Sequence, residues 1–259
     1  MLPSSRPPRI RAWKPFVAGV MLGLALLAAV GMAMAQPVDP APFDALLKAH
    51  VNSGVVDYRG FQDNPAFRQY LDALAKPPAQ ANKNERLAHY INAYNALAIE
   101  GILEGLSPSS LLGQLRYFKL KDWPLDGKSI SLYDLAHKII RPLGEPRIHF
   151  AIVCASMSCP RLRSEAFSAA VLERQLDEQA RQFINDPSRN RFDSATRTAH
   201  LSKIFDWFDE DFRAAAGSTQ KYLARYVADP GIAKDLAAEA YRIESLPYDW
   251  NLNGAPPRR

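Results

Sequence analysis

The sequence predicts an α+β fold, a single helix-rich domain around a small β-sheet. Three observations carry that expectation. Long stretches between residues 41 and 241 place apolar residues at helical spacing. Short apolar runs bounded by Pro, Gly or Ser read as strands, and they are few. The chain is 47% hydrophobic with no internal repeat or low-complexity block, which fits a packed core and excludes a disordered chain.

In order along the chain, residues 41–52 carry Phe43, Leu46, Leu47 and Val51 at helical spacing, and Gly54 ends that helix. Val55-Val56-Asp57-Tyr58 reads as a short extended piece. A second amphipathic helix spans 64–75 and stops before Pro77-Pro78. Residues 83–106 form the most apolar long stretch of the body. Between Tyr90 and Leu103 its strongly polar side chains are Asn92, Asn95 and Glu100, so this helix must be central and buried. Residues 117–130 read as loop, and Ser131 caps a helix running to Ile140, stopped by Pro142 and Gly144. His149 to Ala155 reads as a buried strand. An amphipathic helix spans 167–185. Thr198 to Ile204 reads as a strand, followed by a short aromatic-acidic helix, two helices at 218–228 and 232–241, and a last strand from Tyr241 to Leu246. Pro247-Tyr248-Asp249-Trp250 closes the domain, and residues 254–259 read as a flexible tail.

Residues 1–35 read as a signal peptide rather than part of the fold. Arg6, Arg9, Arg11 and Lys14 form a basic start, Phe16 to Met32 an apolar run of 17 residues, and Ala33-Met34-Ala35 a small-x-small cleavage site. Cleavage is expected between Ala35 and Gln36, leaving the domain as 36–253 in a periplasmic or secreted protein. The alternative is an uncleaved N-terminal anchor, which would be the sole membrane contact. Four of the five net formal positive charges sit in this segment. Beyond it the chain is almost neutral and has no electrostatic footprint for nucleic acid.

Export changes how Cys154 and Cys159 read. A disulfide is the default outside the cytoplasm, although so short a loop contributes about 1–2 kcal/mol. A thiolate at Cys154 with His149 as its base is the sharper alternative, and a free buried pair is the third. The two Cys and one His lack a fourth ligand nearby, so no metal is expected, and no cofactor is implied.

Five ordered segments resemble the DUF547 family, a domain of unknown function. They are Asn92-Ala93-Tyr94-Asn95-Ala96; Ser131-Leu132 with Ile140-Arg141-Pro142; Pro146 through Ala151 running into Cys154-Ala155-Ser156 and Ser158-Cys159-Pro160; Leu201 through Phe205 with Trp207 and Asp211-Phe212; and Pro247 through Asn253. Order and spacing are similar over most of 54–253. The chain departs from the family pattern at His89-Tyr90, where Phe-Trp is usual, and at Ala136, where an acid usually precedes His137. The resemblance implies a fold and a set of marked residues, and no activity.

The marked residues each carry two readings. Asn92 and Asn95 lie three apart on a buried helix, with Glu85 and His89 in the stripe of Asn92. Their amides must be bonded, either to loop backbone or as groups that orient a catalytic His or polarise a carbonyl. His149 is either a core residue bonded through both nitrogens or the general base. Arg147 reads as a clamp on a carboxylate of the protein or of a ligand. Asp206, Asp209, Glu210 and Asp211 lack the spacing of a calcium loop and read as a solvated helix face, with Trp207 and Phe212 turned inward. Ser156 and Ser158 sit in no nucleophile elbow.

Two functions follow. One is a binding or scaffold module of the cell envelope, taking a peptide, glycan or partner protein in a groove of Tyr90, Tyr94, Trp123, Trp207 and Trp250. The other is a thiol-type amide or ester hydrolase, with His149 and Cys154 (or a neighbouring Ser) as working groups and Asn92 or Asn95 as orienting groups. A polar-bearing helix followed by a strand beginning in His is similar, in element order alone, to papain-like and transglutaminase-like thiol hydrolases. Those enzymes open the helix with the nucleophilic Cys, which this helix lacks.

Overall fold

The computed structural model describes residues 37–77 and 81–258; the expected signal peptide and its cleavage point lie outside them. The central element is α3 (Lys83–Leu103), as its apolar surface requires, with fourteen buried residues from Leu87 to Ile102. A capping box starts it: the Asn82 side chain accepts from the Glu85 amide while the Glu85 carboxylate accepts from Asn82 N–H. Against it pack α1 (Ala41–His50), which buries Phe43, Leu46 and Leu47, and α2 (Pro65–Leu74), whose Asn64 cap accepts from the Ala66 and Phe67 amides.

Two segments that follow α3 begin as α-helix and widen into π-helix. The first is α4 (Leu111–Gln114) with Leu115–Leu120; the second is α5 (Leu132–Asp134) with Leu135–Ile140. Between them β3 (Asp122–Leu125) and β4 (Lys128–Ser131) pair antiparallel through Asp126-Gly127, both at positive φ. The stretch expected as loop is therefore a hairpin, built on the two-residue turn that Asp-Gly favours.

The largest departure from expectation is at 146–155. In place of a strand, Pro146–Phe150 forms a 3₁₀ helix and the chain then turns. Pro146 in the first turn and Glu145, which accepts from the Arg147 amide, start that helix. Ile148, Phe150, Ala151 and Val153 are still buried, against α3 and α6 (Leu172–Ile184), and side-chain amides take the place of strand partners. Asn95 Nδ2 donates to Ala151 O at 3.0 Å and its Oδ1 accepts from Val153 N–H at 2.8 Å. Gln179 Nε2 donates to Phe150 O at 2.9 Å. Every buried backbone group needs a partner, and amides supply both kinds.

The C-terminal part holds β5 (Arg191–Asp193), β6 (Thr198–Leu201), α7 (Lys203–Trp207), α8 (Asp209–Ala216), α9 (Thr219–Leu223), α10 (Pro230–Ala237) and β7 (Arg242–Ser245). β5 pairs antiparallel and β7 parallel to β6. Gly254–Ala255, expected in the tail, form β8, which pairs parallel to β2 (Val55–Asp57) beside β1 (Val51–Asn52). Buried side chains form two clusters, one around α1 to α3 and one around Phe150, Phe183, Phe205, Phe212 and Tyr222. The architecture is α+β, helix-rich with small sheets.

Candidate functional site

The two π segments, the 149–160 loop, α7 and the last residues before β8 enclose a cleft of about 410 Å³. π-helix is rare and gathers at functional sites, because its wider turn re-aims side chains. Here it turns Leu115, Phe118 and Lys119 from one side, and Ala136 and His137 from the other, into the cleft. Tyr94 contributes from α3. Trp207, Tyr248 and Trp250 form one wall as a mutually packed group, with ring centroids 4.8, 5.8 and 4.5 Å apart.

Cys154 and Cys159 also line the cleft and are joined in a disulfide, their Cα atoms 6.1 Å apart. The Tyr248 hydroxyl lies 3.3 Å from Cys154 Sγ and 3.4 Å from Cys159 Sγ, and it accepts from Ser156 Oγ. Burial pushes the Tyr248 phenol up to about 12. The loop is sewn to the wall it faces: Met157 N–H donates to Asn251 O, Ser158 N–H to Asp249 O, and Asn253 N–H to Ala155 O.

His149 joins the cleft through a chain of charge. Its Nε2 lies 2.6 Å from Asp211 Oδ2. Arg141 binds the same carboxylate in a two-pronged fork, Nε to Oδ2 at 2.8 Å and Nη2 to Oδ1 at 2.7 Å, and its Nη1 lies 3.0 Å from His137 Nδ1. The hydrogen bond from His149, then that from Arg141, hold the Asp211 carboxyl well below the usual range, against the opposing effect of burial. Burial pulls His149 down, with Asp211 opposing it. His137 is pulled down by burial, then by Arg141 and His149. The consistent state is a charged Asp211 accepting from the Nε2–H of a neutral His149. That leaves His149 Nδ1 as a buried nitrogen with no hydrogen-bond partner among the described residues, under a Phe208 ring stacked 3.9 Å away. Among the described residues His149 is thus bonded through one nitrogen, not both.

Other marked residues fall elsewhere. Asn92 Nδ2 donates to Phe167 O and its Oδ1 accepts from Phe167 N–H, both at 2.8 Å, so both Asn amides are held by loop backbone. Arg147 is held by three of the protein's own carboxylates, Glu145, Glu173 and Asp177. Glu85 caps α3, and His89 lies 3.1 Å from Asp126. Trp123 is buried in the core, while Tyr90 lines a second cavity of about 300 Å³ with His89. Trp207, expected to face inward, is 46% exposed because the cleft itself is its neighbour. Asp211, expected on a solvated face, is the partner of His149 and Arg141. Its acidic neighbourhood gave no local sign of that role, which depends on contacts 62 and 70 residues away in sequence. Phe208 likewise joins the site with no local motif, whereas Tyr248 lies in the Pro247–Asn253 segment and His137 beside Ala136, neither with a role assigned from sequence.

Residues 78–184 match the family model described as protein of unknown function, DUF547. No curated protein and no solved structure matches the chain. The matched segment runs through α3, both π segments, the disulfide loop and α6, so it includes His149, Arg141, His137 and the two cysteines. Trp207, Tyr248 and Trp250, which complete the cleft, and Asp211, which bonds His149 and Arg141 behind it, lie beyond the match, within the wider span of sequence resemblance.

Proposed function

We propose that the protein is a binding module of the cell envelope whose cleft holds an apolar segment of a peptide or of another envelope protein. The observation that carries this reading is the lining. Trp207, Tyr248, Trp250, Phe118 and the leucines 111 and 115 surround the opening, and among the lining residues there is no carboxylate and no Asn. Gln114, Lys119 and His137 are the polar side chains at its edge, and a mainly apolar, aromatic lining favours apolar anchors, which need shape and desolvation. The envelope location draws support from the basic-apolar-small pattern of residues 1–35 and from the disulfide, which persists in oxidising compartments.

The alternative, a thiol hydrolase using His149 and Cys154, requires a thiolate, and both sulfurs are consumed in the Cys154–Cys159 bond. The geometry therefore favours binding over thiol chemistry. A random peptide library panned against the protein tests the reading. Peptides with Leu, Phe or Trp anchors are expected to enrich, and their affinity for Trp207→Ala is expected to fall by about 2 kcal/mol, the scale of a central Trp hot spot. Enrichment of no peptide, or equal binding by the variant, would overturn it.

A further inference from the structure

The segment Leu111–Leu120 has an exposed apolar surface that neither core uses. Its sequence is LLGQLRYFKL. Tyr117 alone among these ten residues is fully buried, anchored by its hydroxyl to Ala98 O at 2.7 Å. Leu111, Leu112, Leu115 and Leu120 are 86, 55, 43 and 65% exposed. Four solvent-facing leucines in one short helical stretch form a patch of the kind that marks an interaction site. Tyr133 and Trp207, also exposed, continue the patch around the cleft mouth, where Leu111 and Leu115 sit.

The charges within the segment identify the occupant. Residues 105–121 contain Arg116, Lys119 and Lys121 and no acid. Lys121 is bonded to Glu104, while Arg116 and Lys119 have no carboxylate partner among the described residues. Lys119 instead lies over the Tyr133 ring, 4.4 Å from its centroid. Leucines beside cations, with Tyr and Trp at the edge, are the composition of a helix that lies in a membrane interface, where the leucines enter the acyl boundary and the cations meet anionic headgroups. We infer that Leu111–Leu120 docks the protein on an anionic lipid surface, with the cleft mouth turned toward the membrane. The inference rests on this exposed segment and not on what occupies the cleft. Among the described residues no helix is long and apolar enough to cross a membrane, so this contact is peripheral.

The test is co-sedimentation of the protein beginning at Gln36 with vesicles of phosphatidylglycerol and phosphatidylethanolamine, beside vesicles of phosphatidylcholine alone. Binding is expected to the anionic vesicles, weaker to the neutral ones, and reduced by salt. Leu111→Asp with Leu112→Asp is expected to cut the partition coefficient about tenfold or more, because two apolar groups leave the interface. Arg116→Gln with Lys119→Gln should lose the preference for anionic lipid. All four side chains are exposed, and an unchanged thermal transition would show that each variant is folded. A protein that stays in the supernatant with anionic vesicles, or variants that bind as well as the parent, overturns the inference. So does a dimer that the Leu→Asp variant dissolves without any vesicle binding, since a second copy would then be the occupant.

Discussion

Asn95→Ala is expected to be among the most costly single changes in the body of the protein, although Asn95 touches nothing in the cleft. In the native fold its amide closes a two-bond bracket on the buried loop, to Ala151 O and to Val153 N–H. Ala151 and Val153 are 1 and 4% exposed, so water cannot replace the lost partners. Each orphaned buried backbone group costs about 1–3 kcal/mol, and the two together about 3–5 kcal/mol. That is a large share of the 5–15 kcal/mol typical of a whole domain. Urea unfolding is the assay, with the loss read from the midpoint at unchanged slope. Asn95→Asp keeps an acceptor for Val153 N–H but sets a carboxylate against Ala151 O, so it should be at least as destabilising at neutral pH. A loss below about 1 kcal/mol in the alanine variant would refute the reasoning, because the loop would then hold its shape without α3.

Three further outcomes are expected. Intact mass under denaturing, non-reducing conditions should show no thiol labelling, and reduction should lower stability by about 2 kcal/mol, as closing a loop this short allows; labelling of both cysteines without reductant would contradict the bridge. Stability should fall as pH drops. His149 and His137 have lowered folded values, so the unfolded chain takes up protons first, and the loss starts below about 6.5. Asp211, also lowered, contributes fully above its unfolded value of about 3.9 and adds a second loss below it; a urea midpoint flat from pH 7 to 5 would argue against a buried neutral His149, and His149→Phe should shrink that slope. Gly254→Ala should detach β8, because a Cβ there would sit 1.9 Å from Val56 O. The expected cost is about 1–3 kcal/mol, seen as faster proteolysis after residue 250, and unchanged proteolysis would mean that β2 can yield.

Much of this was legible in the chain because its causes are local. The long apolar stretch of 83–106 becomes the central α3, and the pattern of 167–185 becomes α6. Asp126-Gly127 carried a hairpin signal, obscured by the Pro and Trp of a short β3. The run from His149 to Ala155 misled, since burial alone does not distinguish a strand from a turn whose backbone is bonded by side chains. Of the marked residues, His149, Cys154, Trp207 and Trp250 meet in one cleft, whereas Arg147 is held by its own carboxylates.

By itself the sequence determined the fold class, the buried helix with its two asparagines, the cysteine pair within bridging reach and the resemblance to DUF547. Each depends on periodicity, composition or order along the chain. The tertiary structure alone decided that Asp211 and Arg141 face His149, that Tyr248 lies against the disulfide, and that the leucines of 111–120 remain uncovered. Those relations join residues tens of positions apart, or turn on what does not pack against a face. A linear pattern carries no distance between such groups, and only the closed chain sets which of them lose water together.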